Sequence, residues 1–213
     1  MTAALSQLLP PSIISVGGPV ADWQGGLLPA EEACVVTAVE KRQREFIAGR
    51  TQARELLSSM GVQDFPLIPD DQRCPLWPMG IVGSITHTND YCAVAIGRTS
   101  TVKSIGLDIE QVGRVTNELW PKIFVPQEIE WLSTQPEKKR SLLSSIMFSA
   151  KEAFYKFQYP NTKEWLGFAD VEIYPTQDHS LLIKVRGSPV HSGRYTEFDG
   201  HVITAFYILI NRE

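Results

Sequence analysis

Two spacings of apolar residues run through this chain, and each marks a different kind of element. At residues 102–110, Ile105, Leu107 and Ile109 alternate with Gly106, Asp108 and Glu110. That alternation predicts a strand with its carboxylates on one face. Shorter runs at residues 12–16, 91–96, 171–174, 181–185 and 202–210 also read as strands, the first ended by Gly17-Gly18. Residues 40–60 carry Phe46, Ala53, Leu57 and Met60 on one side of a helix, with Gly61 as its stop. Residues 146–157 carry a second helical stripe, Ile146, Ala150, Ala153, Phe154 and Phe157, and Tyr159-Pro160 is expected to break it. Pro29 followed by Glu31 and Glu32 resembles a helix start, and residues 112–140 read as helical in parts, chiefly 127–133.

Between these elements lie two stretches without either period. Residues 62–82 hold Pro66, Pro69, Pro75 and Pro78, which exclude a helix or a central strand and predict a long, extended loop around Trp77. Residues 83–90, Gly-Ser-Ile-Thr-His-Thr-Asn-Asp, read as a turn of small residues carrying His87. Strands and helices in this mixture predict an α+β fold.

Composition narrows the classes. The 213 residues are 43% hydrophobic and 21% charged, which excludes disorder, and a net charge of −4 gives no global basic field for nucleic acid or membrane. An anion site would have to be built locally. Three cysteines, an odd number without metal-ligand spacing, suit a reducing compartment. Residues 1–11 lack Lys and Arg, unlike a secretory signal, and the longest apolar run, 202–210, is about half a membrane span. A soluble, cytoplasmic protein is expected.

The same projections pick out candidate chemistry. Arg42 and Arg50 fall on the apolar side of the first helix, whereas Arg44 and Glu55 point away. Their stems could snorkel along the core edge; alternatively the guanidiniums converge on an anion, for which a planar fork of donors suits phosphate. Asp108 and Glu110 project together and repel unless a cation lies between them. Oxygen-only ligands suit magnesium; a solvated edge-strand face is the plainer alternative. Glu152 and Lys156, four apart, share a helix face with Ser149 beside it, either as a surface pair or as part of a site. His87 is a hydrogen-bonded turn histidine or part of a phosphate cradle.

These segments, taken together, resemble the Sfp-type 4′-phosphopantetheinyl transferases, in the branch that serves siderophore synthesis. The resemblance rests on Lys41-Arg42-x-x-Glu45-Phe46 running into Gly49-Arg50-x-x-Ala53-Arg54, on Pro75-x-Trp77-Pro78-x-Gly80, on Gly83-Ser84-x-Thr86-His87 and on Gly106-x-Asp108-x-Glu110. It continues through Ser149-x-Lys151-Glu152-Ala153-x-x-Lys156 and Trp165-Leu166-Gly167-Phe168. It covers residues 40–170. Phe148 stands where many members have Trp, Thr86 replaces Ser, and Cys74 sits where no fixed residue is expected.

The resemblance implies a reaction: coenzyme A donates its phosphopantetheine arm to a serine of an apo acyl or peptidyl carrier protein, and 3′,5′-ADP leaves. It implies two similar α+β halves related by a pseudo-two-fold, 1–102 and 103–213, with the active site in the cleft between them, and a monomer. Residues matching Asp108, Glu110 and Glu152 would hold Mg²⁺, and the one matching Lys156 would contact the phosphate under attack. Arg42, Arg50, Thr86 and His87 would hold CoA phosphates, Asp70, Gln72 and Arg73 would lie along the adenosine, and Leu166 would wall the pantetheine channel. Glu152, or a water it polarises, is the candidate base. Two other readings use the same residues: a Mg²⁺-dependent nucleotide phosphohydrolase and a non-catalytic CoA-binding scaffold. Intact Glu152 and Lys156 argue against the scaffold.

Overall fold

Eight strands in two antiparallel sheets, with six helices, make up the computed structural model, which describes residues 1–186 and 188–210. The first sheet has three strands in the order β1-β3-β2, where β1 is Ile13–Pro19, β2 Ile81–His87 and β3 Tyr91–Arg98. The second has five in the order β4-β8-β7-β6-β5, with β4 at Val102–Gln111, β5 at Val171–Pro175, β6 at Ser180–Val185, β7 at Ser188–Phe198 and β8 at His201–Leu209. The helices are α1 (Thr2–Leu8), α2 (Pro29–Glu32), α3 (Glu40–Ser59), α4 (Trp120–Ile123), α5 (Pro126–Thr134) and α6 (Glu137–Thr162). The α+β class expected from the periodicities is the one observed. Residues 211–213, the end of the expected second half, lie outside the described residues.

One core joins the two sheets. Leu5, Leu8 and Leu9 at the end of α1, with Ala93 and Ala95 of β3, pack on Ile105, Leu107 and Ile109 of β4 and on Ile203 and Ala205 of β8. The odd-numbered apolar positions of β4 therefore face the first sheet. Its even-numbered positions face α6, whose Ala150, Ala153, Phe154 and Phe157 form a second core with Phe206 and the strands β5 and β6. Both faces of β4 are covered, so the solvated edge-strand alternative for Asp108 does not hold: Asp108 is 5% exposed.

Four sequence expectations need correction. Residues 83–87 are not part of a turn: residues 81–87 form β2, in register with β3 from Ile81↔Arg98 to His87↔Cys92, and only residues 88–90 make the bend between them. Their small polar side chains are buried for a reason the one-dimensional pattern hides. The Ser84 hydroxyl accepts from the Leu107 N–H at 3.0 Å, and the Thr86 hydroxyl accepts from the Ile109 N–H at 3.1 Å. Hydroxyls of β2 thus satisfy backbone groups of β4 where no ladder joins the two strands. Gly17-Gly18 does not end β1, which continues to Pro19; the Met1 side chain lies against Gly17, in space a Cβ would need.

The third correction concerns Pro160, which sits inside α6 rather than ending it. The helix continues to Thr162 and stops where Lys163 adopts a left-handed conformation (φ 56°). Tyr159 stacks on Tyr155 with centroids 5.3 Å apart, and the Ser104 hydroxyl of β4 and the Asn161 amide both bond the Phe157 carbonyl. Tertiary contacts hold the last turn against the local bias of the residue before proline. Fourth, α1 and β7 were not expected at all.

Candidate active site

The site begins with a close approach. At Gly106 a Cβ would overlap the Ala153 carbonyl oxygen and press on the Phe157 backbone. Without it, α6 lies directly on β4, and Ser149 and Lys156 come within reach of Asp108, two residues along the same strand face. Lys156 Nζ donates to Asp108 Oδ1 at 2.6 Å and Ser149 Oγ to Oδ2 at 2.9 Å. From β2, Thr86 Oγ1 donates to Oδ1 at 3.0 Å. Glu152 and Lys156 are not a surface ion pair, since the lysine turns to the strand instead.

Glu110 and Glu152 complete an acidic cluster around Asp108. Burial, then the Asp108 charge, pushes Glu110 up to about 7, against the pull of Arg114, 3.9 Å from it, and of Lys156. Burial and Asp108 also raise Glu152, opposed by Lys156. Carboxylates that raise one another in this way favour a cation, and an all-oxygen donor set suits a hard divalent ion. The donor chemistry fits such an ion, although among the described residues no three His, Cys, Asp or Glu side chains already converge on one point.

A cationic cluster faces this one. Arg42 Nη1 lies 2.6 Å from His87 Nε2. The guanidinium has only donors, so Nε2 must accept and the ring proton resides on Nδ1. That nitrogen faces Glu45 Oε2 at 3.4 Å. The imidazole is neutral: burial first, then Arg42, pushes His87 down to about 3, so its contact with Glu45 is a weak N–H···carboxylate one and not an ion pair. Arg50 is buried, its guanidinium 4.0 Å from the Phe46 ring centroid and its Nε donating to the Leu67 carbonyl at 2.5 Å. Burial lowers it to about 10, which leaves it charged at neutral pH. Arg42 does not sink into the core; its side chain is 43% exposed. Arg44 pairs with Glu40 on the exposed face, pointing away as expected.

The third wall is the loop after α6. Lys151 Nζ, almost wholly buried, donates to Glu128 Oε2 at 2.7 Å and to the carbonyls of Phe168 and Val171 at 2.7 and 2.6 Å. Glu128 in turn accepts from the Ile173 and Val125 N–H groups. One buried ion pair thus anchors α5, α6, β5 and the loop that carries Leu166. Trp165 from that loop meets Tyr155 edge-on, with centroids 5.2 Å apart.

These three walls enclose a cavity of about 1020 Å³. Arg42, Arg50, Gln72, Arg73, Thr86, His87, Asp108, Glu110, Glu152, Lys156 and Leu166 all line it. Asp70 does not: its carboxylate accepts from the Gln72 and Cys74 N–H groups of its own turn and reaches Lys163 at 3.3 Å. Thr86 lines the cavity, and its hydroxyl donates to Asp108 and accepts from the Ile109 N–H. Sequence reasoning assigned no role to Glu45, Ser149 or Thr204. Ser149 was visible beside the Glu152–Lys156 face, whereas nothing in the pattern marks Thr204.

Comparison with known proteins decides the family. A model of the 4′-phosphopantetheinyl transferase N-terminal domain matches residues 30–97, and one of the 4′-phosphopantetheinyl transferase superfamily matches residues 104–206. The 4′-phosphopantetheinyl transferase Npt of Nocardia iowensis is 34% identical over 195 residues, spanning 83% of this chain and 87% of that protein. The chain belongs to the 4′-phosphopantetheinyl transferases. It is similar to two further members, the 4′-phosphopantetheinyl transferase PptT of Mycobacterium tuberculosis (38% over 148 residues, 68% of this chain and 64% of that one) and enterobactin synthase component D of Escherichia coli (32% over 148 residues, 68% of each). A phosphopantetheinyl transferase takes CoA as its donor, and the cavity joins the two things a pyrophosphate donor needs, a patch of fixed cations and a carboxylate cluster. No helix among the described residues is long and apolar enough to cross a membrane.

Proposed function

We propose that this chain transfers the phosphopantetheine arm of CoA to the serine hydroxyl of an apo peptidyl or acyl carrier protein, with Asp108, Glu110 and Glu152 as ligands of Mg²⁺. The observation that carries the reading is the cavity lined at once by these carboxylates, by Lys156 and by Arg42, Arg50 and His87. Carriers of nonribosomal peptide synthetases, including those that build siderophores, are the expected partners, given the enterobactin synthase component D relatives.

In this reading Arg42 and Arg50 hold CoA phosphates, and neutral His87, its Nε2 held by Arg42, fixes that guanidinium. Asp70, Gln72 and Arg73 form the loop beside the adenosine, with Asp70 shaping the turn rather than touching the ligand. Leu166 walls the pantetheine arm. The serine oxygen attacks the phosphorus bearing the arm, the bond to the bridging oxygen breaks, and 3′,5′-ADP leaves with that electron pair. Glu152, kept basic by burial, takes the serine proton directly or through a water. Lys156 places its ammonium where charge builds on the phosphate. Mg²⁺, when bound, supplies Lewis-acid neutralisation of the pyrophosphate oxygens. We further propose that residues 1–102 and 103–213 act as two halves related by a pseudo-two-fold, and that the protein works as a cytoplasmic monomer.

Mass spectrometry of several apo carriers incubated with CoA, Mg²⁺ and the protein tests this. A mass gain of one phosphopantetheine on the carrier serine is expected. Release of a nucleotide without carrier modification would instead indicate a phosphohydrolase, and CoA binding without either product would indicate a scaffold.

A further inference from the structure

Two buried hydroxyls beside Asp108 have no part in the mechanism so far. Ser149, in the middle of α6, and Thr204, in β8, are both 0% exposed. A buried hydroxyl is costly unless paired, and serine is a neutral-to-poor choice within a helix. Alanine and valine would pack these places without that cost. What the hydroxyls do is bond one another at 2.9 Å, while Ser149 also lies 2.9 Å from Asp108 Oδ2.

Chemistry sets the direction of the chain. An ionised carboxylate only accepts, so Ser149 spends its one proton on Asp108. The Ser149 oxygen is then an acceptor towards Thr204, and Thr204 must donate to it. The bonds therefore run Thr204 → Ser149 → Asp108, each donor polarised by the next. The other oxygen of Asp108 is held by Thr86 and Lys156. With donors on both oxygens, the plane of this carboxylate is fixed.

We propose that Ser149 and Thr204 are positioning residues that fix the Asp108 carboxylate for its cation through this directed chain of hydroxyls. The inference rests on reading Asp108 as a cation ligand. Hydrogen bonds behind a ligand orient it, and removing them weakens metal binding by about 10–100-fold in general.

The test is a Mn²⁺ titration of the full chain without CoA, followed by the electron paramagnetic resonance of free Mn²⁺, with thermal unfolding on the same samples. Ser149→Ala is expected to weaken Mn²⁺ binding by about 10–100-fold. Thr204→Val keeps the shape and loses the hydroxyl; Thr204→Ser keeps the hydroxyl and loses a methyl. Affinity should therefore fall with Thr204→Val and stay within about twofold of the parent with Thr204→Ser, even though Thr204→Ser leaves the small cavity and costs more in packing. If Ser149→Ala does not fold, the Thr204 pair decides. Equal losses for Val and Ser, or a greater loss for Ser, would mean packing alone and would overturn the proposal, as would parental affinity in Ser149→Ala or Thr204→Val. Asp108→Asn separates the two ideas. If it loses Mn²⁺ while the hydroxyl variants do not, only this proposal fails; if it binds as the parent does, the cation-ligand reading falls as well.

Discussion

Lys156 Nζ lies 2.6 Å from Asp108 Oδ1, across from its own helix, and not against Glu152 one turn before it. A cation on α6 and a carboxylate on β4 are thereby joined in one cluster, and Lys156 is poised between the carboxylates and the cavity.

Lys156→Ala is expected to lower the single-turnover rate of transfer by about 10²–10³-fold, the usual loss when one preorganised donor to transition-state charge is removed. CoA affinity should change far less, because the contact strengthens only as the bond breaks. A rate within twofold of the parent would show that Lys156 serves only to neutralise Asp108.

Arg50 and Arg44 sit on opposite sides of α3, one in the cavity wall and one paired with Glu40 in solvent. Truncating a charge-assisted contact costs about 1.5–3 kcal/mol, so Arg50→Ala should weaken CoA binding by about one to two decades. Arg44→Ala should leave it unchanged. Isothermal titration of both variants checks this, and equal small effects would mean that Arg50 only packs on Phe46 and bonds Leu67.

Lys151→Met should destabilise the fold strongly. It strands Glu128, 0% exposed, without its counter-charge, and such a loss costs about 3–5 kcal/mol. Adding Glu128→Gln to Lys151→Met should recover part of it. Urea unfolding of the single and double variants measures both; a loss below about 1 kcal/mol would place this pair with ordinary surface bridges.

His87 gives a pH signature of stability. Its folded-state value is pushed down from 6.5 to about 3, by burial and then by Arg42. Between those limits the unfolded chain binds a proton that the folded chain refuses, so stability rises with pH there. Acidification from 6.5 should therefore cost stability progressively until about 3, at no more than about 1.4 kcal/mol per pH unit. His87→Gln should lack this component. The difference between the two proteins' unfolding free energies, followed from pH 7 to 4, isolates it from the carboxylates; a flat difference would show that the imidazole protonates freely in place.

The α+β class, the long helices and most strands were legible in the sequence, because one apolar face per element leaves a period. So were the candidates Asp108, Glu110, Glu152 and Lys156, because alternation in a strand and a four-residue step in a helix fix which side chains share a face. What that geometry could not say is what lies opposite a face. Only the packing of α6 on Gly106 turned a Glu152–Lys156 helix pair into a Lys156–Asp108 contact. Only the meeting of β2 with β4 showed that Ser84 and Thr86 are buried and hydrogen-bonded to β4. Thr204 acquired a role solely from its neighbour Ser149, 55 residues away in the chain. Periodicity is a local property set by backbone geometry, whereas the partner of a buried polar group is chosen by whichever segment the fold lays against it, and no spacing within one element records that choice.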